Sequence, residues 1–259
     1  MMNSEFKFEN APVIILANPQ MGENIGATAR AMLNFGMTEL RLIAPRDGWP
    51  NERAEAMSSG AFDMMAPVQV FSRTEDAIAD LHMVYATTAR ERDMVKPAYS
   101  ARQAASQIVD RVQSRQKTGI IFGGERAGLN NDDIALSHYI IQIPVNPNFS
   151  SLNLGQAVLL VCNEIFQSYR AAADIPIGNN NQLPRSIGEE ELPAPHEELN
   201  GLYSRLENAL DENNFFRSED MKPAMMRNLK NMISRAELTG QEVRTFHGII
   251  SALNNKKSI

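Results

Sequence analysis

The sequence predicts an α/β fold: a parallel sheet with helices on both faces, followed by a small helical unit. Over residues 1–170, short apolar runs rich in β-branched residues alternate with amphipathic segments, which is the pattern of strands joined by helical crossovers. Residues 171–197 are rich in Pro, Asn and Glu, a linker composition. Residues 198–259 then show three apolar stripes at helical spacing.

The individual elements follow from these runs in chain order. We expect strands at residues 12–16, 40–43, 68–71, 83–87, 119–122 and 139–143. Helices are expected at residues 24–35, 74–81, 100–116 and from 154 onward, with Thr74 as an N-cap. Three further helices are expected at residues 198–213, 222–236 and 240–254. We interpret their stripes as core: Leu199, Leu202, Leu206 and Leu210; Met225, Leu229, Met232 and Ile233; Phe246, Ile249, Ile250 and Leu253.

Composition narrows the class of protein. The 259 residues are 43% hydrophobic and 22% charged, which is ordinary for a globular protein. The single cysteine, Cys162, excludes a disulfide framework and a cysteine-based zinc site within one chain. No apolar run reaches the about 20 residues of a membrane-spanning helix, and the N-terminus does not resemble a secretory signal. We therefore expect a cytoplasmic protein.

The charge is unevenly distributed along the chain. The total of −6 divides into −3 over residues 1–170, −7 over residues 171–214 and +4 over residues 215–259. A negative total argues against nucleic-acid binding, yet nucleic acid is attracted by a local basic patch rather than by net charge. The basic C-terminal region therefore remains a candidate RNA contact, although surface helices also carry such charges without a partner.

Three loops rich in Gly, Asn, Ser or charged residues follow predicted strands, at residues 18–30, 122–129 and 144–154. Ligands of open parallel sheets bind outside the carboxyl ends of the strands, so these loops mark the predicted site. The nucleotide-binding patterns GxxxxGK[ST] and GxGxxG are missing, and the four histidines are isolated in sequence. The sequence therefore predicts no metal site.

The three loops contain NxGATAR, FGGERxGL and IPxNPxFSSLNLGQAV, in this order. Over residues 11–170 they resemble the three motifs of the SPOUT methyltransferases, in the SpoU/TrmH branch. The resemblance implies a C-terminal trefoil knot and a homodimer whose active sites are shared between subunits. It also implies transfer of a methyl group from S-adenosyl-L-methionine to a ribose 2′-hydroxyl of RNA, with S-adenosyl-L-homocysteine as the product and no metal.

The part of the chain after the acidic linker is similar to the extension of the tRNA anticodon-loop enzymes of this branch. That similarity implies tRNA as the substrate and nucleotide 32, C or U, as the target. It also implies a methyltransferase domain at residues 1–170, a linker at 171–197 and a tRNA-binding helical domain at 198–259. Two alternatives stay open, namely methylation of ribosomal RNA and a non-catalytic RNA-binding relative.

The resemblance also assigns residues to the site. The cofactor-binding positions are Thr87, Thr88, Ala89, Gly123, Ile143, Ser150, Ser151 and Leu152. The catalytic positions are Arg30, Ser151, Asn24, Glu125 and Asn153. Arg30, from the partner subunit, either acts as a base or stays charged and orients the ribose through phosphate. The second role is the easier one chemically, because a guanidinium gives up its proton only above about pH 12.

Three of the other catalytic positions have two possible roles. Glu125 either offsets the charge of the sulfonium or orients a neighbour, and Ser151 either binds the attacking hydroxyl or fixes a turn. Asn153 has the alternative of a simple helix N-cap. RNA contact is expected from Arg90, Arg92, Lys96, Arg126, Arg227 and Lys230, with Arg217, Lys222, Arg235 and Arg244 adding to the basic tail.

Overall fold

The computed structural model describes residues 8, 10–88, 96–174, 192–216 and 218–255. Its strands are β1 (Val13–Ala17), β2 (Leu40–Ile43), β3 (Gln69–Phe71), β4 (Met83–Thr87), β5 (Ala98–Ser100), β6 (Thr118–Gly123) and β7 (Tyr139–Gln142). They form one seven-stranded sheet in the order β3-β2-β1-β6-β4-β7-β5, and every pair is parallel. The predicted parallel sheet is confirmed, whereas the trefoil knot remains a prediction.

The helices of the first part of the chain are α1 (Gly22–Asn34), α2 (Glu52–Ser58), α3 (Thr74–Ala77), α4 (Ala101–Gln113), α5 (Asn131–Leu136) and α6 (Leu154–Asp174). The helices of the C-terminal part are α7 (His196–Glu212), α8 (Lys222–Ser234) and α9 (Gly240–Asn255). All seven predicted helices are present. The sequence reading missed α2, α5 and β5, which are too short for hydrophobic periodicity to show.

The predicted helix at residues 74–81 is wrong in its length and its cap. The helix ends at Ala77, and Arg73 rather than Thr74 occupies the N-cap position. Thr74 lies inside the helix, where its hydroxyl donates to the Asp133 carboxylate at 2.6 Å. The Thr74 side chain therefore connects α3 to α5 instead of capping α3.

Two cores lie on the two faces of the sheet. Successive residues of β1 alternate between them, with Ile14 in the first core and Ile15 in the second. The first core is closed by α1, α4 and α6, and it includes Cys162. The second is closed by α3, α5 and the three C-terminal helices, through residues such as Leu202 and Ile250. The helical unit is therefore a layer of the fold that shares a core with the sheet.

Two predictions about the C-terminal part need correction. The residues expected to form a linker begin with the last turn of α6 and end in packed structure, where Ala194 and His196 are buried. Of the apolar stripe on α9, Ile250 is buried but Phe246, Ile249 and Leu253 are exposed, and Met232 of α8 is exposed as well. The face that α9 turns inward is formed by Val243 and Ile250, because it packs on α7 and joins the second core rather than an isolated three-helix bundle.

Candidate active site

A cavity of about 290 Å³ opens beyond the carboxyl ends of the central strands β4, β6 and β7. Seven of the eight predicted cofactor-binding residues line it: Thr87, Thr88, Gly123, Ile143, Ser150, Ser151 and Leu152. The eighth, Ala89, lies outside the described residues. Glu125 and Arg126, which the sequence assigns to catalysis and to RNA contact, also line the cavity. Other lining residues were not singled out from the sequence, although all but Ile141 lie in the quoted motifs: Phe122, Gly124, Ala127, Gly128, Leu129, Ile141, Val145, Leu154 and Ala157.

The glycines after β6 are required because backbone packs on backbone there. A Cβ atom on Gly123 would lie 2.2 Å from the carbonyl carbon of Gly128, and one on Gly124 would lie 2.3 Å from the carbonyl oxygen of Asn18. The Gly128 N–H donates to the Gly124 carbonyl at 2.9 Å, which closes the loop. This wall of the cavity is therefore made of main chain, which allows a ligand to approach N–H and C=O groups closely.

The other walls combine a held strand end with apolar side chains. The Thr87 hydroxyl donates to the Ile121 carbonyl at 3.1 Å, and the Thr88 N–H donates to the Ile141 carbonyl at 3.1 Å. The end of β4 is thereby fixed between β6 and β7. Ile143 and Leu152 supply apolar surface of the kind that a flat heterocycle such as adenine needs.

Glu125 joins the second motif to the first. Its carboxylate accepts hydrogen bonds from the Gln20 N–H at 2.9 Å, the Met21 N–H at 3.2 Å and the Asn24 amide at 2.6 Å. These donors surround the N-terminus of α1, where Met21 itself provides no side-chain cap and the helix dipole favours negative charge. The carboxylate is thus directed at α1, which favours the orienting role that the sequence left open.

Burial acts to raise the pKa of Glu125, but the hydrogen bonds from Asn24 and the backbone outweigh it, so the pKa lies below its ordinary value. Each of these donors stabilises the charged carboxylate. Glu125 is therefore an anion at neutral pH and is unsuited to act as a general acid.

Asn24 extends this link to the third motif. Its side-chain oxygen accepts from the Asn153 amide at 2.8 Å, and the Asn153 oxygen accepts from the Gln156 N–H at 3.3 Å. Asn153 therefore contacts the first turn of α6 as a capping residue would and also connects two motifs, while its catalytic role stays a prediction. A Cβ on Gly155 would lie 2.9 Å from the Ala27 Cβ, which lets α6 approach α1 closely.

Arg30 lies apart from the first cavity within one protomer. It is exposed on α1, and its guanidinium donates to the Ser59 hydroxyl at 3.2 Å. It lines a second cavity of about 240 Å³ together with Asn153, Gln156 and the exposed apolar residues Met57 and Leu159. The structure thus brings Asn24, Glu125 and Asn153 together, and it does not bring Arg30 to Ser151.

The expectation that Lys96 contacts RNA is wrong. Lys96 is only 8% exposed, and its ammonium donates to the Ala135 carbonyl at 3.0 Å, to the Ser137 carbonyl and to the Ser234 hydroxyl at 2.8 Å. Sequence cannot distinguish such a lysine from a surface one, because the acceptors lie on α5 and α8, far along the chain. Lys96 joins the body to the C-terminal helices.

The other basic residues have mixed environments. Arg126 lines the first cavity. Arg227 pairs with Asp132 at 2.7 Å, and Lys230 lies over the Tyr203 ring. Lys222 contacts Asp211 at 2.5 Å. Arg90, Arg92 and Arg217 lie outside the described residues.

Two features are absent from the described part of the chain. No group of three or more His, Cys, Asp or Glu side chains is arranged to hold a metal ion there. No helix in that part is long and apolar enough to cross a membrane.

Two family models match this chain. The model of the SpoU rRNA methylase family matches residues 11–163, which include all three motif loops. The model of the C-terminal domain of the tRNA methyltransferase TrmJ matches residues 197–258, which include α7, α8 and α9.

Individual proteins match over nearly the full length. The tRNA (cytidine/uridine-2′-O-)-methyltransferase TrmJ of Photorhabdus laumondii is 32% identical over 95% of this chain and 97% of its own length. The crystal structure of TrmJ from Z. mobilis is 43% identical, with a TM-score of 0.80 over 94% of this chain and 99% of that one.

The A. aeolicus TrmH/SpoU tRNA modifying enzyme is similar in fold. It is 15% identical, with a TM-score of 0.52 over 64% of this chain and 79% of that one.

Proposed function

The chain belongs to the SpoU rRNA methylase family and is an RNA 2′-O-methyltransferase, and we propose that it methylates a ribose 2′-hydroxyl of tRNA with S-adenosylmethionine as the methyl donor. The tRNA substrate is supported by the match of residues 197–258 to the C-terminal domain of a tRNA methyltransferase and by the names of the full-length relatives. Nucleotide 32 of the anticodon loop, C or U, is the proposed target.

The observation that carries this proposal is the cavity at the ends of β4, β6 and β7. Its volume of about 290 Å³, its main-chain wall at Gly123 and Gly124 and its apolar surfaces at Ile143 and Leu152 fit a nucleoside-like cofactor. Residues 150–152 would hold the cofactor from the opposite side. S-adenosylmethionine supplies a methyl group activated by the sulfonium charge.

The geometry supports a role for Asn24, Glu125 and Asn153 as positioning residues. They connect the loops of the three motifs and fix α1 and α6 relative to the cavity wall. Ser151 faces the cavity with its side chain exposed, where its hydroxyl can bind the attacking 2′-hydroxyl. Displacement of these loops by even about 1 Å would cost rate, because the attacking oxygen must approach the methyl carbon in line.

We propose that the site is completed by a second protomer. Arg30 lies outside the first cavity of its own chain, on a face that carries Met57 and Leu159 as exposed apolar residues. A partner packed on this face buries those side chains and brings Arg30 to the cavity of the other chain. There the guanidinium binds a phosphate of the RNA with two hydrogen bonds and orients the ribose.

The proposal is tested by methyl transfer to unmodified tRNA, with the product nucleoside and its position read by mass spectrometry. We expect 2′-O-methylation at nucleotide 32, and loss of at least about 100-fold in kcat for Arg30→Ala, comparable to removal of a transition-state contact. Arg73→Ala, which removes an exposed arginine that pairs with Glu75, is the matched control.

The outcomes separate the alternatives. Cofactor binding without transfer to any tRNA, but with transfer to ribosomal RNA, would identify the other RNA class. Binding of RNA without cofactor binding or transfer would identify a non-catalytic relative. Full activity of Arg30→Ala would remove Arg30 from the site.

A further inference from the structure

A large aromatic side chain is exposed to solvent on the loop that borders the cavity. Phe149 is 75% exposed and lies between Val145 and Ser150, both of which line the cavity. The exposed apolar residues Met57 and Leu159 lie by contrast around the second cavity, on the face that we assign to the partner protomer. Phe149 therefore needs an explanation of its own.

The backbone around Phe149 is ordered by a turn of the chain itself. The Asn146 side-chain oxygen accepts from the Asn148 N–H at 3.0 Å, and the Asn146 carbonyl accepts from the Phe149 N–H at 2.9 Å. Pro147 at the second position of this turn restricts φ to the value that such a turn requires. The aromatic ring is thus carried on a pre-formed support, and only its own two side-chain torsions must be ordered when a ligand binds.

We propose that Phe149 determines how the target nucleotide is held, by stacking its ring on the base whose ribose is methylated. The inference rests on the proposed function. RNA in a loop is recognised largely by bases that leave the stack and lie on aromatic side chains. When the ribose lies at Ser151, its base is directed to the edge of the cavity, where Phe149 supplies an exposed aromatic face.

Stacking on Phe149 has a consequence for base preference. A ring face does not read the hydrogen-bonding edge of a base, so it holds cytosine and uracil about equally well. The full-length relatives are named as cytidine/uridine methyltransferases. A stacking contact explains how one site accepts both bases without a side chain that exchanges donor and acceptor roles.

The test compares substitutions at position 149 in the full-length protein with unmodified tRNA. We expect Phe149→Ala to raise KM for tRNA by about 5- to 150-fold, the factor that corresponds to the loss of one base–aromatic stack. S-adenosylhomocysteine affinity should stay within about 2-fold. Phe149→Tyr should retain the wild-type KM, whereas Phe149→Leu should behave like Phe149→Ala, because leucine keeps the apolar volume without an aromatic face.

The controls separate stacking from other roles of an exposed apolar residue. Met64→Ala removes a side chain of similar exposure, 71%, on the turn after α2, and it should leave KM unchanged. If Phe149→Leu keeps the wild-type KM for tRNA, an apolar side chain is enough and the inference is overturned. If Phe149→Ala dissociates a dimer in sedimentation, the side chain packs on protein and the inference is likewise overturned. Wild-type activity on tRNA is measured first, so failure of the proposed function is seen independently.

A direct readout does not depend on turnover. Trp49 is the single tryptophan of the chain, so Trp49→Phe combined with Phe149→Trp places one fluorophore at the rim. An anticodon stem-loop RNA added in the presence of S-adenosylhomocysteine should quench this fluorescence through base stacking. Unchanged fluorescence under conditions where a filter assay shows bound RNA would overturn the inference.

Discussion

The Lys96 ammonium lies 2.8 Å from the Ser234 hydroxyl and joins two parts of the chain that are 138 residues apart. Lys96 precedes β5 at the edge of the sheet, and Ser234 ends α8 of the C-terminal layer. The carbonyls of Ala135 and Ser137 complete the set of acceptors. Burial lowers the pKa of Lys96 to about 7, with a smaller effect from Arg235, whereas three oxygen acceptors favour the ammonium because it has a donor for each.

Replacement of Lys96 by methionine should destabilise the protein although it adds no volume. The three acceptors would remain buried without this donor, and each such loss costs about 1–3 kcal/mol. We expect the free energy of unfolding in urea to fall by at least about 2 kcal/mol. Lys117→Met, which removes a half-exposed lysine paired with Asp80, serves as the control and should have little effect. Equal stabilities for the two variants would contradict this account of Lys96.

Two buried histidines should make the C-terminal contact sensitive to acid. Burial and then the charge of Lys96 lower the pKa of His196 to about 3. Burial, followed by His196, Lys96 and Arg111, holds the pKa of His138 well below its usual range. Both rings stay neutral in the fold and become protonated in the unfolded chain below about pH 6.5, so unfolding gains protons and stability decreases as pH falls.

The decrease should approach about 1.4 kcal/mol per pH unit for each histidine below about pH 6. His196→Phe removes one titrating ring whose two nitrogens have no hydrogen-bond partner among the described residues. The range from pH 6.5 to pH 4.5 lies above the pKa of His196 in the folded protein. Over this range we expect the melting temperature of His196→Phe to fall less steeply than that of the wild type. His247→Gln, which removes a partly exposed ring of α9 beside Arg205 of α7, is the control, and a slope unchanged in His196→Phe would refute the linkage.

Removal of the Glu125 carboxylate should loosen the first motif. Glu125→Ala leaves the Gln20 N–H, the Met21 N–H and the Asn24 amide without their acceptor, and we expect a loss of about 1–3 kcal/mol in stability together with a lower kcat. Glu164→Ala, which breaks an ion pair with the exposed Arg102, should change neither. Thermal melts and single-turnover methyl transfer measure both quantities.

The pH dependence of the Glu125 contribution follows from its lowered pKa. The carboxylate keeps its charge to a lower pH in the fold than in the unfolded chain, where the ordinary value is about 4.3. Its contribution is therefore complete at neutral pH and is lost as pH falls through the folded pKa. A difference between wild type and Glu125→Ala that disappears already near pH 6 would contradict this assignment.

Two glycine-to-alanine changes should act in opposite directions. A Cβ on Gly26 of α1 would lie 2.2 Å from the Ala54 carbonyl oxygen of α2, so Gly26→Ala should cost about 1–3 kcal/mol through forced separation of the helices. A Cβ on Gly201 in α7 would meet no atom within 4 Å, so Gly201→Ala should stabilise by up to about 1 kcal/mol. Urea titrations compare the two; similar gains for both would show that helix propensity rather than packing governs these positions, and a loss for Gly201→Ala would contradict the open space around Gly201.

The sheet could be predicted from the sequence because buried parallel strands are short apolar runs, such as Val13–Ala17. The short elements could not, although Asn130 and Asp133 form a capping box that marks the start of α5. The stripe on α9 was assigned to the core because periodicity shows that a helix has an apolar face, whereas only the packing partners decide which face is buried.

The site could be located from the sequence but not assembled. Glu125, Asn24 and Asn153 were recognised as polar positions of the motifs, yet their mutual hydrogen bonds join residues 101 and 129 positions apart and depend on how the strands are ordered. Arg30 of the first motif and Ser151 of the third share a proposed role but line different cavities of one chain. The sequence could therefore not show how these two residues would meet.

The position of the C-terminal helices has a consequence for how the protein is made. Leu202, Ile233 and Ile250 help to close the second core, and they are synthesised after every strand of the sheet. Until they leave the ribosome, the second core of the nascent sheet is covered by α3 and α5 without the three C-terminal helices. Chaperones that hold apolar surface thus have a defined window in which to act on this chain, and premature termination after α6 leaves a product prone to aggregate.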